Sequence, residues 1–287
     1  MGLEASVMCT CYAEGKTTPC PFPDRFFIND AGFPDLRPAP DSDFERDLQI
    51  FTNWLQHACP HPGMQRERVY VSNWVDYNAF INTLSTSAPE KFATLLRELP
   101  AENGGLTPAA TAPAALRELD AFQAMDEVGS NIFVIDGNTG DKLYAYVPDY
   151  GGIFIWDGRH GHNIGVDEDG LFIVDVWELS RVVFRSRRCE QILHDPALTE
   201  TTGDGRVEYV DLETGRRFEC HTAIPGKEIP WPDGRMRNDE GRFRLEYPRL
   251  LVVEEQALTP AYFESIVTAL RRAFEAAAET GNPVRWF

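Results

Sequence analysis

Residues 151–177 read GGIFIWDGRHGHNIGVDEDGLFIVDVW and separate a helix-rich first half of the chain from a strand-rich second half. The two ends of this stretch are short apolar runs with the length and composition of β-strands. A polar loop between them holds two of the six histidines of the chain. We expect the flanking runs to be core strands of a sheet, anchored by Trp156 and Trp177.

Two β-hairpins are predicted around this stretch. Ile132–Ile135 and Leu143–Val147 are joined by DGNTGD, and Val207–Val210 and Arg217–Cys220 are joined by DLETG. In both connections Asp can start the turn and Gly can take a positive φ. Further strands are expected at Leu3–Met8, Arg25–Ile28, Ile153–Trp156, Leu171–Val176, Val182–Arg185 and Leu250–Val253.

Four helices are predicted before residue 129. Ser42 with Glu45, and Ser87 with Glu90, form capping boxes that precede helically spaced apolar residues. Ser72 can cap a helix whose apolar face consists of Trp74, Tyr77, Ile81 and Leu84, and a fourth helix follows Thr107-Pro108.

A fifth helix is expected near the end of the sequence, from Thr259-Pro260 to a glycine at position 281. Phe263, Ile266, Val267, Leu270 and Phe274 share one face of it. Because a bare surface tail rarely ends in large aromatic residues, we expect Trp286 to pack back onto the body of the protein.

The order of these elements predicts an α+β fold. Residues 1–128 form a helix-rich half, and residues 129–287 form a half of mainly antiparallel sheet that also carries the C-terminal helix. Because the connection at Met125–Asn131 is short, the two halves are expected to pack into one continuous core.

The net charge excludes several kinds of partner. The 287 residues include 27 Lys and Arg against 45 Asp and Glu, a net charge of −18. Nucleic acids and anionic membrane surfaces would be repelled, whereas a basic protein partner would be attracted. The longest apolar runs are strand-sized, and the N-terminal residues lack a signal-peptide pattern. A cytoplasmic protein is therefore expected, with its six cysteines as thiols or ligands rather than as disulfides.

The loop within residues 151–177 is the first candidate site. Its candidate residues are Asp157, His160, His162, Asp167, Glu168 and Asp169. Imidazoles two residues apart on a strand can reach one metal ion, which would fit a metal-dependent hydrolase using His160 and His162. The spacing matches no recognised metal motif, and the aspartates are also good turn residues. We interpret the six residues as a surface that contacts a partner, and assign no catalytic residue, metal ligand or cofactor.

Cysteines and histidines form a second candidate cluster, consisting of Cys9, Cys11, Cys20, His57, Cys59 and His61. They could assemble a structural zinc site if the N-terminal segment meets the end of the first helix. Zinc ribbons usually carry C-x2-C pairs, whereas this sequence has C-x-C and C-x-H. Packing of small buried thiols is the favoured alternative.

The other motifs in the sequence do not indicate a catalytic or nucleic-acid-binding site. Cys220 and His221 are adjacent, so on a strand they would point to opposite faces and could not act as nucleophile and base. The run Arg181–Arg188 (RVVFRSRR) is the one cationic patch and is expected to form ion pairs rather than to bind nucleic acid. Nucleotide-binding glycine motifs and the G-x-S-x-G nucleophile motif do not occur in the sequence.

Four segments of the chain resemble an uncharacterised family of bacterial cytosolic proteins, and more loosely the immunity proteins that neutralise polymorphic toxins. The segments are MGLEASVMCTCY at residues 1–12, CPHPGM at 59–64, SNW at 72–74 and TGNPVRW at 280–286. The resemblance implies a binding role and no catalytic residues. The expected function is therefore a non-enzymatic acidic binding protein, an immunity protein that occludes a basic toxin domain.

Overall fold

The computed structural model describes residues 2–29, 32–40, 42–157, 159–178, 181–195, 204–226, 228–230 and 243–287. The chain divides into two compact units. Unit 1 consists of Met1–Gly129 and Leu258–Phe287, and unit 2 consists of Ser130–Ala257. The last thirty residues therefore belong with the N-terminal half, whereas the sequence placed them with the strand-rich half.

Helices and antiparallel strands are both abundant, which confirms the predicted α+β class. The described helices are α1 (Phe44–His57), α2 (Trp74–Ser87), α3 (Ala93–Glu98), α4 (Ala112–Gln123) and α5 (Glu264–Thr280). The described strands are β1 (Gly2–Met8), β2 (Phe26–Ile28), β3 (Pro34–Leu36), β4 (Gln65–Asn73), β5 (Leu106–Thr107), β6 (Gly129–Asp136), β7 (Lys142–Ala145), β8 (Ile153–Ile155), β9 (His162–Asp167), β10 (Gly170–Asp175), β11 (Val182–Ser186), β12 (Arg188–Leu193), β13 (Asp204–Asp211), β14 (Arg217–Thr222), β15 (Glu228–Pro230), β16 (Phe243–Leu245), β17 (Leu250–Leu258) and β18 (Val284–Trp286). Among the described residues, no helix has both the length and the apolar character needed to cross a bilayer.

Unit 1 is built on a four-stranded sheet in the order β4-β1-β18-β5. The C-terminal strand β18 pairs antiparallel with β1, with Ala5 opposite Trp286. Helix α5 packs against β4, β1 and α4, and the left-handed Gly281 (φ 72°) ends it as predicted. Trp286 is only 2% exposed, which confirms that the aromatic end packs back onto the body.

The helix starts in unit 1 lie close to their predicted positions. Asp43, rather than Ser42, caps α1 by accepting from the Arg46 N–H at 3.2 Å. Asn73, rather than Ser72, caps α2 by accepting from the Asp76 N–H at 2.9 Å. Serine, aspartate and asparagine are all good N-cap residues, so the sequence pattern identified the helices with an offset of one residue.

The predicted helix that starts at Ser87 is interrupted. A 3-10 turn covers Pro89–Lys91, and α3 begins only at Ala93. Phe92 separates the two at φ −120° and ψ 26°, and its side chain is fully buried. Phe92 thus adopts a non-helical backbone conformation in which its ring is buried, so tertiary packing overrides the local helical preference.

Unit 2 contains two antiparallel sheets that share one core. The sheets have the orders β11-β10-β9-β8 and β14-β13-β12-β17-β6-β7. Both predicted hairpins are confirmed, as β6–β7 and β13–β14. The shared core consists of buried residues from both sheets and from the segment that follows β14: Val134, Ile164, Val166, Leu171, Ile173, Phe184, Cys189, Val207, Tyr209, Cys220, Ala223, Ile224, Leu251 and Val253.

Trp156 and Trp177 are not core anchors. Trp156 is 60% exposed and Trp177 is 84% exposed, so the prediction that they anchor the core is wrong. The reason is their position, because Trp156 follows the last residue of β8 and Trp177 lies two residues beyond β10. The predicted flanking strands exist, but these two rings project past their ends.

Candidate functional site

The six residues predicted to contact a partner do not lie together. Strand β9 runs through the predicted loop, with His162 at its start and Asp167 at its end. At about 3.3 Å per residue, the strand separates its two ends by about 16 Å. Asp157, His160 and His162 therefore form one group, which we call the histidine end, and Asp167, Glu168 and Asp169 form the other.

Asp157 organises the histidine end. Its carboxylate lies 2.9 Å from Nδ1 of His160 and accepts a hydrogen bond from the backbone N–H of His160 at 3.1 Å. The hydroxyl of Thr222, at the end of β14, donates to the same carboxylate. The Asp157 N–H in turn donates to the amide oxygen of buried Asn163 at 3.0 Å. These contacts fix the Asp157 side chain and the His160 ring.

The ionisation of Asp157 reflects two opposed effects. Burial alone would raise the pKa of its carboxyl. Hydrogen bonds from Thr222 and His160 outweigh that effect and lower the pKa below its usual value. The carboxylate is therefore held in its charged form by its neighbours, in an orientation suited to fixing one tautomer of His160.

Two aromatic contacts complete the histidine end. The rings of His160 and His221 lie with centroids 5.4 Å apart and an interplanar angle of 32°. His162 meets Phe218 edge-on at 5.2 Å. Within the part of the chain that the structure describes, the buried Nδ1 of His162 finds no hydrogen-bond partner. His162 is therefore positioned by packing, whereas His160 is positioned by hydrogen bonds to Asp157.

The other end of β9 is an ion-pair cluster. Arg185 on β11 binds both carboxylate oxygens of Asp167, and its guanidinium lies 5.3 Å from the ring of Phe172. Arg187 donates to the backbone carbonyl of Glu168. The basic run thus supplies ion-pairing side chains, as predicted, and Asp167 is engaged within the protein. Glu168 and Asp169 are exposed in the β9–β10 turn.

Unit 1 brings a subset of the predicted cysteine cluster together. Cys9 and Cys11 follow β1, and Cys59 and His61 follow α1. The Sγ atoms of Cys9 and Cys59 lie 3.8 Å apart, and Sγ of Cys11 lies 3.3 Å from Nδ1 of His61. Within the described ranges, this is the one group of three or more Cys, His, Asp or Glu donors close enough to hold a metal ion. Cys20 and His57 are not among the four donors, and neither are His160 and His162.

The remaining cysteines do not form a nucleophilic site. Cys189 and Cys220 are buried in unit 2, and burial raises the pKa of their thiols to about 12 and about 11. Such thiols are protonated at neutral pH and therefore poor nucleophiles. Cys220 is buried and His221 exposed, which confirms that these neighbours point to opposite faces.

The exposure of Trp156 and Trp177 was not predicted from the sequence. Strand register places His162 opposite Asp175 and Ile155 opposite Ile164. Trp156 and Trp177 therefore lie at the same end of the sheet as His160 and His162. The signal was present in the sequence, because each tryptophan stands next to an aspartate or a glutamate at the end of an apolar run.

Comparisons with family models, curated proteins and solved structures gave no significant match to the chain.

Proposed function

We propose that the protein is a non-enzymatic binding protein that engages a basic protein partner through the histidine end of unit 2. The observation that carries this proposal is the exposure of Trp156 and Trp177, at 60% and 84%, at one end of the same sheet. Tryptophan is costly to expose to water and is enriched among the residues that dominate binding energy at protein interfaces. We call Trp156, Trp177 and the histidine end together the tryptophan face.

The net charge of −18 supports a basic partner. Acidic surfaces attract basic proteins over a distance of about 10 Å at moderate ionic strength and accelerate their association. The aromatic rings would then supply the short-range contacts that slow dissociation. Fast, salt-sensitive association followed by occlusion is the mode by which an acidic protein inhibits a basic nuclease or other basic toxin.

The proposed role is therefore that of an immunity protein acting in the bacterial cytoplasm, in line with the resemblance of the chain to that group. The ordered Asp157–His160 contact would present a rigid surface, which lowers the entropic cost of binding. The two buried cysteines of unit 2 add nothing that would suggest nucleophilic catalysis.

The test is co-expression of the full chain with the protein encoded beside it, followed by measurement of growth and of complex formation. We expect protection from toxicity, a basic partner in the complex, and affinity that falls at least tenfold between low and high salt. Trp156→Ala and Trp177→Ala should each weaken binding about tenfold or more. Tyr70→Ala, which alters a 58% exposed aromatic residue in unit 1, is the control and should leave binding unchanged. Absence of both protection and a stable basic partner would overturn the proposal.

A further inference from the structure

The four donors of the cysteine–histidine cluster come from two segments that the backbone already holds together. The Cys9 N–H donates to the carbonyl of Met64 at 2.8 Å, and the Thr18 N–H donates to the carbonyl of Ala58 at 2.8 Å. These bonds join the turn after β1 to the segment after α1. The donor arrangement therefore rests on main-chain structure and not on side-chain rotamers alone.

Two of the separations between donor atoms are close to those of tetrahedral coordination of one zinc ion. Zinc–sulfur bonds of about 2.3 Å and zinc–nitrogen bonds of about 2.0–2.1 Å place tetrahedral ligands about 3.8 Å apart for two sulfurs and about 3.6 Å apart for sulfur and nitrogen. The Cys9–Cys59 separation is 3.8 Å and the Cys11–His61 separation is 3.3 Å. All four donor atoms lie within 4.8 Å of one another. A disulfide would need sulfur atoms about 2.05 Å apart.

The donor types favour zinc over other common ions. Three thiols and one imidazole form a soft ligand set, whereas calcium and magnesium prefer oxygen donors. Cys3His is a frequent ligand set of structural zinc sites, and four protein ligands leave no position for a reacting water molecule. The Cys3His ligand set therefore predicts a structural zinc ion rather than a catalytic zinc ion.

A route for metal entry is present at the cluster. A cleft of about 700 Å³ is lined by residues of unit 1 that include Cys9, Cys11 and His61, together with Lys16, Arg66 and Glu279. Cys59 and His61 are only partly buried, so the donors are reachable from solvent. An accessible path, a complete ligand set and matching distances are the features expected of a real metal site.

We propose that Cys9, Cys11, Cys59 and His61 bind one Zn²⁺ ion that fastens the turn after β1 to the segment after α1. The ion would stabilise the adjoining apolar cluster, which contains Leu36, Phe51, Trp54 and Met64 together with Cys9 and Cys11. Because this role lies in unit 1, it is independent of the tryptophan face.

The test begins with full-length protein purified without chelator and without a metal-binding tag. Elemental analysis should find about one zinc per chain, and protein reloaded with Co²⁺ should show the visible bands of tetrahedral thiolate coordination. Removal of zinc by a chelator should lower the melting temperature, and added Zn²⁺ should restore it.

We expect loss of the metal from two variants that each remove one proposed ligand, Cys59→Ser and His61→Ala. The controls are Cys20→Ser and His57→Ala, which alter neighbouring residues that are not among the four proposed ligands. Each control should retain about one zinc per chain. Circular dichroism checks the folding of each variant, and the Co²⁺ spectrum of wild-type protein stands independently of them. Three results would overturn the proposal: no zinc and no cobalt bands in folded wild-type protein, a Cys9–Cys59 disulfide by mass spectrometry, or iron in place of zinc.

Discussion

The indole N–H of Trp286 donates to the hydroxyl of Thr107 at 2.9 Å, and that hydroxyl donates onward to the carbonyl oxygen of Glu98 at 2.6 Å. Both Trp286 and Thr107 are buried. This short chain of hydrogen bonds joins β18 to β5 and to the end of α3. The C-terminal aromatic residue is therefore part of the core of unit 1 and contributes both apolar area and a satisfied polar group.

Replacing Trp286 with Ala should destabilise unit 1 by about 3–5 kcal/mol, since a buried indole is lost and Thr107 loses its donor. Urea denaturation followed by circular dichroism measures this change. Trp177→Ala removes the same side chain from an 84% exposed position and should alter the free energy of unfolding by about 0.5 kcal/mol or less. Equal losses of unfolding free energy from the two substitutions would contradict the burial of Trp286 and the exposure of Trp177.

Two adjacent glycines directly before β8 should respond differently to substitution by alanine. Gly151 and Gly152 have φ of 57° and 78°, but only at Gly152 would an added Cβ overlap the carbonyl oxygen of Val166. We expect Gly151→Ala to cost about 1–2 kcal/mol from backbone strain. Gly152→Ala should cost about 2–5 kcal/mol, since the overlap with Val166 adds to the strain. The midpoints of urea denaturation give both values, and a larger loss for Gly151→Ala would be inconsistent with the structure.

Asp157 should make stability depend on pH in acid. Its pKa in the folded protein is lowered by Thr222 and His160, against the opposing effect of burial. The charged carboxylate therefore stabilises the fold above the unfolded pKa of about 3.9, and this contribution is lost as the pH falls through the lower folded pKa. Asp157→Asn should be less stable than wild type at pH 7, and the difference should shrink at pH 3.

The measurement is the free energy of unfolding of both proteins across this pH range. Asp169→Asn, which alters an exposed carboxylate in the β9–β10 turn, is the control at pH 7 and should change stability by about 0.5 kcal/mol or less. A stability difference between Asp157→Asn and wild type that grows toward low pH would contradict the hydrogen-bonding role of Asp157.

Local sequence signals identified many of the helices and strands. Turn chemistry at DGNTG and DLETG identified the two hairpins, and apolar periodicity identified α5. Strand β4 was not predicted, because it begins with four consecutive polar residues (QRER) and so lacks the alternation of apolar and polar residues that is typical of a strand. The helical pattern that follows obscured a strand that pairs with β1.

Long-range relationships were beyond the sequence. Thr222 donates to Asp157 from 65 positions away, and Cys59 and His61 each meet their partners across 50 positions. The residue types of the proposed zinc site were recognisable, but its two halves are brought together by the pairing of β1 with β4 and by backbone hydrogen bonds beside it, which the sequence does not reveal. The exposure of Trp156 and Trp177 likewise depended on where the strands end, which is the least certain part of a sequence-based prediction.

The pairing of β1 with β18 has a consequence for biosynthesis. Ser6 and Arg285 are register partners, yet nearly the whole chain separates them in the order of translation. At about 5–20 residues per second, the first strand leaves the ribosome on the order of 15–55 s before its partner. All of unit 2 is made during that interval. Strand β1 must therefore wait with one edge unpaired until β18 has been made, and unit 1 can be completed only after unit 2 has been synthesised.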